Sequence, residues 1–350
     1  MAAIDKSLYE KFIIESVDGQ RTADISAGVV SFNYYENLFS PMVTGKVVVV
    51  NTGNTIRGDD GKMQSLYNGF PLRGGERVVI KIAGNSPTNK GLDFSDSPSK
   101  YLYVGSITNV LIKEEKETFT LNLVSREAIT NETVRVGKRF PSSQKISDSV
   151  KNIVEKYLSS NKLYDIDETQ NPYGFIGNMK KPFTILTWLA SKSVPASASN
   201  QDSTAGYFFF ETQKGFRYKS IDGLIDQDPH ENKYTYTPGI VEYKGPDNDF
   251  KILEYSTSRN QNLLENLERG AYCSHRKYLN PLTFEYTPTP QTVFKLNDYS
   301  GKIKNLGGDI DVTLPTLSDN DNRTLASVPS RYITGILDIG TLENDVSTNE

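Results

Sequence analysis

The chain is poor in the residues from which most active centres are built. Its 350 residues include one cysteine, two histidines and one tryptophan. A lone thiol, Cys273, cannot form an internal disulfide framework or a cysteine-only zinc site, and this usage fits a protein made and folded in a cytoplasm. A histidine-based triad or a zinc hydrolase would have to use His230 or His275. No run approaches the roughly eighteen apolar residues of a membrane span. The opening MAAIDKSLYEKF carries charge where a signal peptide needs its apolar stretch. A formal net charge of −4, without clustered Lys and Arg, gives no reason to expect a nucleic-acid binder.

What the chain does have is a hydrophobic content of 37%, enough for real cores, and a length that is a soft prior for two or three domains. Its middle, residues 146–225, is the most patterned part. In ISDSVKNIVEKYL, Ile146, Val150, Ile153, Val154, Tyr157 and Leu158 recur at three- and four-residue steps, with Lys151, Asn152, Glu155 and Lys156 opposite, which predicts an amphipathic helix. In KKPFTILTWLASK, Pro182 suits a first helical position, Phe183, Leu186, Leu189 and Ala190 form a stripe, and the helix should end before Pro195. The run 206–211 is aromatic and short, 213–215 supplies a turn, and 216–219 alternates apolar with basic residues. This predicts a β-hairpin with a bulged or three-residue loop. Alternation sends Phe208 and Phe210 to one face and Phe209 to the other; the pair is expected on the helix at 146–158 and Phe209 against a neighbouring domain or subunit. Ser220 can cap a short helix at 221–225, with Asp222 near the positive end of its dipole.

Before this unit the pattern is strands. Residues 9–17 end at an Asp18-Gly19 turn signal. In 28–37, Val30, Phe32 and Tyr34 alternate against Ser31 and Asn33, and in 43–51 the run 47–50 reads as buried on both faces. Loops are expected at 51–62 and 84–99, and a helical turn at 63–70. In 76–83, Val78, Ile80 and Ile82 face one way. Strands at 101–112 and 118–124, the latter with Phe119, Leu121 and Leu123 on one face, flank a KEEKE stretch at 113–117 that reads as a solvated turn. Six or so strands without interleaved helices predict an antiparallel barrel or sandwich.

After a turn-rich stretch at 228–248, strands at 250–255, 271–278 and 282–287 follow the order of the first domain, which suggests a second copy of the same sheet. From 296 onward the chain is rich in Gly, Pro, Asp and Asn and ends in LENDVSTNE without a closing strand, so this copy reads as unfinished. The fold class is α+β, mostly β. The expected units are 1–135, a first β domain; 136–235, an inserted α+β domain; 236–295, the start of a second β domain; and 296–350, a peripheral loop-rich segment.

The sequence GYFFFETQKGFRYKSIDGLI, supported by GVVSFNYYENLFSPMVTGKVVVVNTG and GERVVIKI, resembles the baseplate central hub protein of T-even-like contractile-tailed bacteriophages over about residues 8–290. The resemblance implies two tail-tube-like β domains flanking the inserted unit, and a homotrimer whose six tube-like domains form a ring. It further implies a virion protein of the tail baseplate, assembled in the host cytoplasm. Its partners would be a spike or tail lysozyme protein, tail tube or tube-initiator proteins, the tape measure protein and baseplate wedge proteins, with DNA only as cargo through the lumen. The second β domain departs from the family in lacking its final strands before Glu350. A tail-tip hydrolase or a secretion-spike component built on the same tube domains is the alternative.

Residue chemistry favours the structural role. Asp226, Asp228, His230 and Glu231 in IDQDPHE lack the central Gly and terminal Glu of a calcium loop and read as solvated. Cys273 and His275 share a strand face but have no second pair of ligands. Gly74-Gly75 precedes a strand rather than a helix, which makes it a turn and not a phosphate cradle. Glu10, Glu15, Glu36 and the other carboxylates are too scattered to define an acid/base pair, so no catalytic, cofactor or metal residue is assigned. The Tyr and Phe content, 20 and 16 residues, suits cores first and interfaces second. The purified protein is therefore expected not to clear peptidoglycan; reproducible turnover that disappears in His230→Ala or His275→Ala would overturn the structural reading.

Overall fold

The computed structural model describes residues 8–54, 56–57, 61–70, 72–84, 91–114, 116–162, 164–196, 206–228, 233–236, 250–252, 254–258, 262–286, 293–296 and 325–336. The N-terminal part is built on strands β1 (Leu8–Glu15), β2 (Thr22–Asp24), β3 (Val29–Tyr35) and β4 (Thr44–Thr52), then β7 to β10 after a small pair, β5 (Ile56–Arg57) with β6 (Met63–Gln64), and a helical turn α1 (Leu66–Gly69). Strands β7 (Arg77–Ala83), β8 (Leu92–Asp93), β9 (Leu102–Lys113) and β10 (Lys116–Ser125) complete it. The order is β2-β1-β7-β9-β10-β4-β3, with β8 on β7, and every pairing is antiparallel.

Alternation drives this sheet. Phe12, Ile14, Val47, Val49, Val78, Ile80, Phe119, Leu121 and Leu123 are buried in one core, as period-two burial of apolar side chains requires. The sheet curls, so that Phe12 on β1, next to the end strand β2, meets Phe32 on the other end strand, β3, edge-on at 5.5 Å. The turn Ser26–Gly28 fits between them because Gly28 has no side chain: a Cβ there would lie 2.6 Å from the carbonyl oxygen of Val50. Among the described strands no hydrogen-bonded pairing closes the curl into a barrel. A cleft of about 760 Å³ marks the seam, lined by Thr22, Ile25, Val49, Ile56 and Phe70 among others.

Several expectations change. Val30 is exposed because a bulge between Val29 and Ser31 reverses the phase of β3. The valine run is buried on one face only, at Val47 and Val49, with Val48 and Val50 half-buried. The KEEKE stretch is not all turn: Lys116 and Glu117 belong to β10, and Glu117 is buried, accepting hydrogen bonds from the Asn51 side chain (2.9 Å) and the Tyr67 amide (3.0 Å). The loops at 51–62 and 84–99 contain the short strands β5 and β8.

The inserted unit follows through α2 (Arg126–Thr133), whose buried residues, Glu127 and Asn131, are both polar. Then come β11 (Arg139–Phe140), α3 (Ile146–Lys156), β12 (Tyr164–Ile166), β13 (Phe175–Ile176), α4 (Pro182–Lys192), β14 (Tyr207–Thr212), β15 (Gly215–Ser220) and α5 (Ile221–Ile225). The stripe of α3 is buried as its periodicity predicts, α4 opens on Pro182, and the Ser220 hydroxyl accepts from the Gly223 amide at 3.0 Å to cap α5. The Asn131 side chain accepts from the Phe183 amide at 2.8 Å, satisfying one of the free donors at the start of α4.

The hairpin differs from expectation. Its loop has two residues, since Thr212 pairs with Gly215, and this register places Phe209 opposite Tyr218 and Glu211 opposite Phe216. Because Arg217 and Lys219 face outward, the inward face carries Phe216 and Tyr218, and their partners Phe209 and Glu211 must follow. Phe209 is thus the buried residue, stacked on Phe216 at 5.4 Å and tilted against Phe183 of α4 at 6.1 Å. Phe208 turns outward and meets Phe39 of the first sheet's β3–β4 loop at 5.4 Å.

Beyond α5, β16 (Thr235–Tyr236) pairs in parallel with β17 (Lys251–Ile252), and α6 (Leu263–Arg269) is capped by Asn262 and ended by Gly270 with φ 73°. Strand β18 (Cys273–Leu279) lies between β19 (Val293–Lys295), antiparallel, and β20 (Arg331–Ile336), parallel. Two expectations fail here. The strand at 282–287 is reduced to an isolated bridge between Leu279 and Tyr286 after a turn at 281–283, and the segment from 296 contributes the strand β20. The parallel β18–β20 pair also has no counterpart in the first sheet.

The packing assignment is checked by truncation. Phe209→Ala should cost about 3–5 kcal/mol, as large buried aromatics do, whereas Phe208→Ala, removing one half-buried contact, should cost clearly less. Urea denaturation of the two variants tests it; the reverse ranking would show the hairpin phase to be wrong.

Candidate functional site: an assembly surface and its buried joint

The structure draws no catalytic constellation from the candidate residues. Asp226 and Asp228 lie just past α5, while His230 and Glu231 fall outside the described residues. Cys273 is fully buried on β18, and His275, two residues on, meets the Tyr332 ring at 5.6 Å. Among the described residues no three His, Cys, Asp or Glu side chains are placed to hold a metal ion. The Gly74-Gly75 turn, with φ of 100° and 92°, closes on the chain's own anion: the Arg73 and Gly74 amides donate to the Glu76 carboxylate at 2.6 and 3.0 Å. Glu10 pairs with Lys81 at 2.7 Å and Glu15 with Arg77 at 3.4 Å, while Glu36 accepts from the Tyr34 hydroxyl at 2.8 Å and the Gln213 amide at 2.6 Å.

Sequence reasoning missed a charge network at the joint between the first sheet and the inserted unit. Lys162, between α3 and β12, places its ammonium 2.8 Å from Glu127 of α2 and in direct contact with Glu211 of β14. Both carboxylates are buried, and only 8% of the lysine side chain is exposed. The Ser160 hydroxyl donates to Glu127 at 2.7 Å, the Val43 amide at the entry to β4 donates to Glu211 at 3.0 Å, and the Arg126 guanidinium stands 3.9 Å from Glu127. Glu211 therefore ties the hairpin to the sheet. The contacts Gln213–Glu36 and Phe39–Phe208 fix the same loop at two more points.

Burial works against the Lys162 ammonium, but the charges and hydrogen bonds of Glu211 and Glu127 outweigh it and hold the group above the usual lysine range. Burial also pushes the Glu211 carboxyl up, with Lys162 pulling it down and Glu127 adding to the rise. One ammonium thus serves two carboxylates, and for Glu211 burial is the largest influence.

Among the described residues some strand edges of the first sheet lack a second neighbour. Strand β9 pairs with β7 only near Leu102 and Tyr103, so among the described residues its outer part, 105–113, has a neighbour on one side alone, β10. That part carries Val110, Leu111 and Ile112, with Leu111 70% exposed. Bulges shift its register against β10 at two places, one of them at Asn109, which adopts φ 54°. A second edge, β3, exposes Val30 and Tyr35 and leads to the exposed Phe39. That 101–112 forms a strand is visible in its sequence; that its outer part has one neighbour among the described residues is a property of topology.

No family model matches this sequence, and no curated protein matches it. Among solved structures the chain is similar to the 43 kDa tail protein of prophage MuSo2 from Shewanella oneidensis, at 11% identity and a TM-score of 0.41, covering 65% of this chain and 59% of that one. It is similar to a tail protein from Neisseria meningitidis MC58 at 10% identity and a TM-score of 0.49, covering 97% of this chain and 75% of that one. It is also similar to a chain of the Francisella PdpA-VgrG complex at 9% identity and a TM-score of 0.40, covering 97% of this chain and 41% of that one.

The joint is tested by substitution and pH. Lys162→Met should cost about 3–5 kcal/mol near neutral pH, because Glu211 then stays buried without its counter-charge and Glu127 keeps only the Arg126 guanidinium at 3.9 Å. Glu211 is a group whose value is raised in the fold, so the stability it contributes is complete below the ordinary carboxylate range and is lost as pH rises through its folded value. Glu211→Gln should therefore flatten the stability profile across that window. Urea titrations over a pH series measure both; a neutral effect of Lys162→Met would show that the network is not buried as described.

Proposed function

We propose that this chain is a structural protein of a contractile phage tail, the trimeric central hub of its baseplate. In this reading three chains form a pseudo-sixfold ring that joins the sixfold tail tube to the threefold spike and lines the channel for the tape measure and DNA. The observation that carries the proposal is the outer half of β9 with its apolar tip, which among the described residues has a strand neighbour on one side alone. Such an edge is a template for strand pairing, and a closed ring removes it from solvent. The resemblance of the 206–225 sequence to the hub family points the same way. The edges β3 and β9 are different surfaces of one chain, as a head-to-tail ring requires. In the ring, the first sheet of one chain meets the part of the next chain that starts near residue 236.

Spike or tail lysozyme, tube, tube-initiator, tape measure and wedge proteins are the partners of this reading. The chain itself acts without catalysis. Among the described residues no helix is long and apolar enough to cross a membrane.

Light scattering of the purified protein should give about three chain masses, and electron microscopy a threefold ring with a hexagonal outline and a central channel. Leu111→Lys should leave the circular dichroism spectrum unchanged and reduce the mass to that of one chain. A trimer indifferent to Leu111→Lys would exclude the β9 edge as the interface, and a folded protein that stays monomeric at high concentration would overturn the hub.

A further inference from the structure

The inserted unit carries a second surface that its own packing leaves unused. Strand β11 pairs with β13, Arg139 opposite Ile176 and Phe140 opposite Phe175, and a bridge between Val136 and Lys180 continues the ladder. The inner face is filled: Phe140 stacks on Phe175 at 4.4 Å, and Trp188 of α4 meets Phe175 and Tyr173 edge-on at 5.5 Å. On the outer face Ile176 and Met179 stand 66% and 64% exposed.

The backbone works to hold Met179 there. Asn178 and Met179 both have left-handed φ, 46° and 55°, a region that asparagine enters readily and a large side chain such as methionine enters at a cost. The Met179 amide donates to the Val136 carbonyl at 2.9 Å and that of Lys180 to Gly177 at 3.0 Å, and Gly177 lies so close to the Val136 carbonyl that no side chain would fit. A strained residue that presents an apolar side chain to water points to a role outside the fold.

The charges around it are equally unspent. Lys138 rests over the Phe140 ring at 5.4 Å, and neither it nor the exposed Arg139 and Lys180 has a carboxylate partner among the described residues. Their neighbours are engaged: Lys181 with Glu132, and Arg135 with the carbonyls of Glu132 and Val134. Over the whole inserted unit the balance is close to even, 13 Lys and Arg against 11 Asp and Glu in residues 136–235, so the positive charge is a local property of this face.

We propose that this surface docks an acidic segment of a partner protein, which sets an apolar side chain on Ile176 and Met179 and carboxylates on Lys138, Arg139 and Lys180. Charge complementarity selects an acidic partner. The aliphatic anchors select a polypeptide over nucleic acid, which would be met by exposed aromatic rings for base stacking. The surface lies on the inserted unit and is distinct from the strand edges of the first sheet.

The test uses the full chain and a synthetic peptide of Glu and Asp with two central leucines, followed by calorimetry at low and physiological salt. The peptide should bind, and the combined Lys138→Glu, Arg139→Glu and Lys180→Glu variant should weaken it by about tenfold or more, the scale of an interface anchor. Met179→Ser and Ile176→Ser should weaken it without altering the salt dependence, and a peptide with serine for leucine should bind less well. Circular dichroism controls for folding; Met179→Gly, which relieves the strain, should fold and still lose affinity. Absence of peptide binding, or binding untouched by these variants, overturns the proposal. So does a single-stranded DNA oligonucleotide that binds more tightly through the same residues, or self-association of the chain that the same substitutions abolish.

Discussion

The arrangement of this protein depends on one buried ammonium shared by two buried carboxylates. Moving such ions out of water costs several kcal/mol each, and that cost is offset only when the geometry is held and the remaining oxygens find donors. Here they do: a serine hydroxyl serves Glu127 and the Val43 amide serves Glu211. The three residues come from a helix, a connecting segment and a strand of the hairpin, so satisfying the charges sets the pose of the inserted unit on the first sheet. An apolar contact could slide. A network in which each displaced atom strands a charge cannot, and the edges of the first sheet are thereby presented at a defined angle to the basic face of the insert.

The first sheet is built to be incomplete. Its core is dense with alternating Val, Ile, Leu and Phe, yet among the described residues its hydrogen bonding stops short of closure, and β2, β3 and half of β9 each have a strand neighbour on one side alone. Lysines at the β9–β10 turn and the bulges within β9 limit indiscriminate pairing, in the way natural sheets guard their edges. Openness combined with guarding is the signature expected of a sheet finished by a specific neighbour.

Much of this was legible in the sequence wherever a side chain's period decided its burial. Ile146, Val150, Ile153 and Val154 announce α3, Pro182 announces α4, and Ser220 with Asp222 announces α5. Legibility failed where polar residues did the packing. Helix α2 buries Glu127 and Asn131 and has no apolar stripe to reveal it, and Glu117 looks like part of a solvated charge run while serving as a buried acceptor. Three consecutive phenylalanines carry no phase of their own; the phase of Phe209 comes from Phe216 and Tyr218 across a two-residue loop, and one residue of error in that loop inverts the strand. The joint was invisible for a simpler reason: Lys162 is 35 residues from Glu127 and 49 from Glu211, and only the fold brings them together.

The two bulges in β9 have a consequence for what can lie beside it. Between Val104 and Leu111 the strand holds two more residues than the stretch of β10 it faces, from Leu123 to Thr118. Each insertion reverses which side chains point up and which point down, so a regular ribbon laid along this edge falls out of step after the first and regains step only after the second. A partner must carry matching irregularities or stop at Asn109. The edge therefore behaves like a key with two notches: stacking of identical straight ribbons, the geometry of fibrils, is out of register with it, while a neighbour cut to the same pattern engages along its full length.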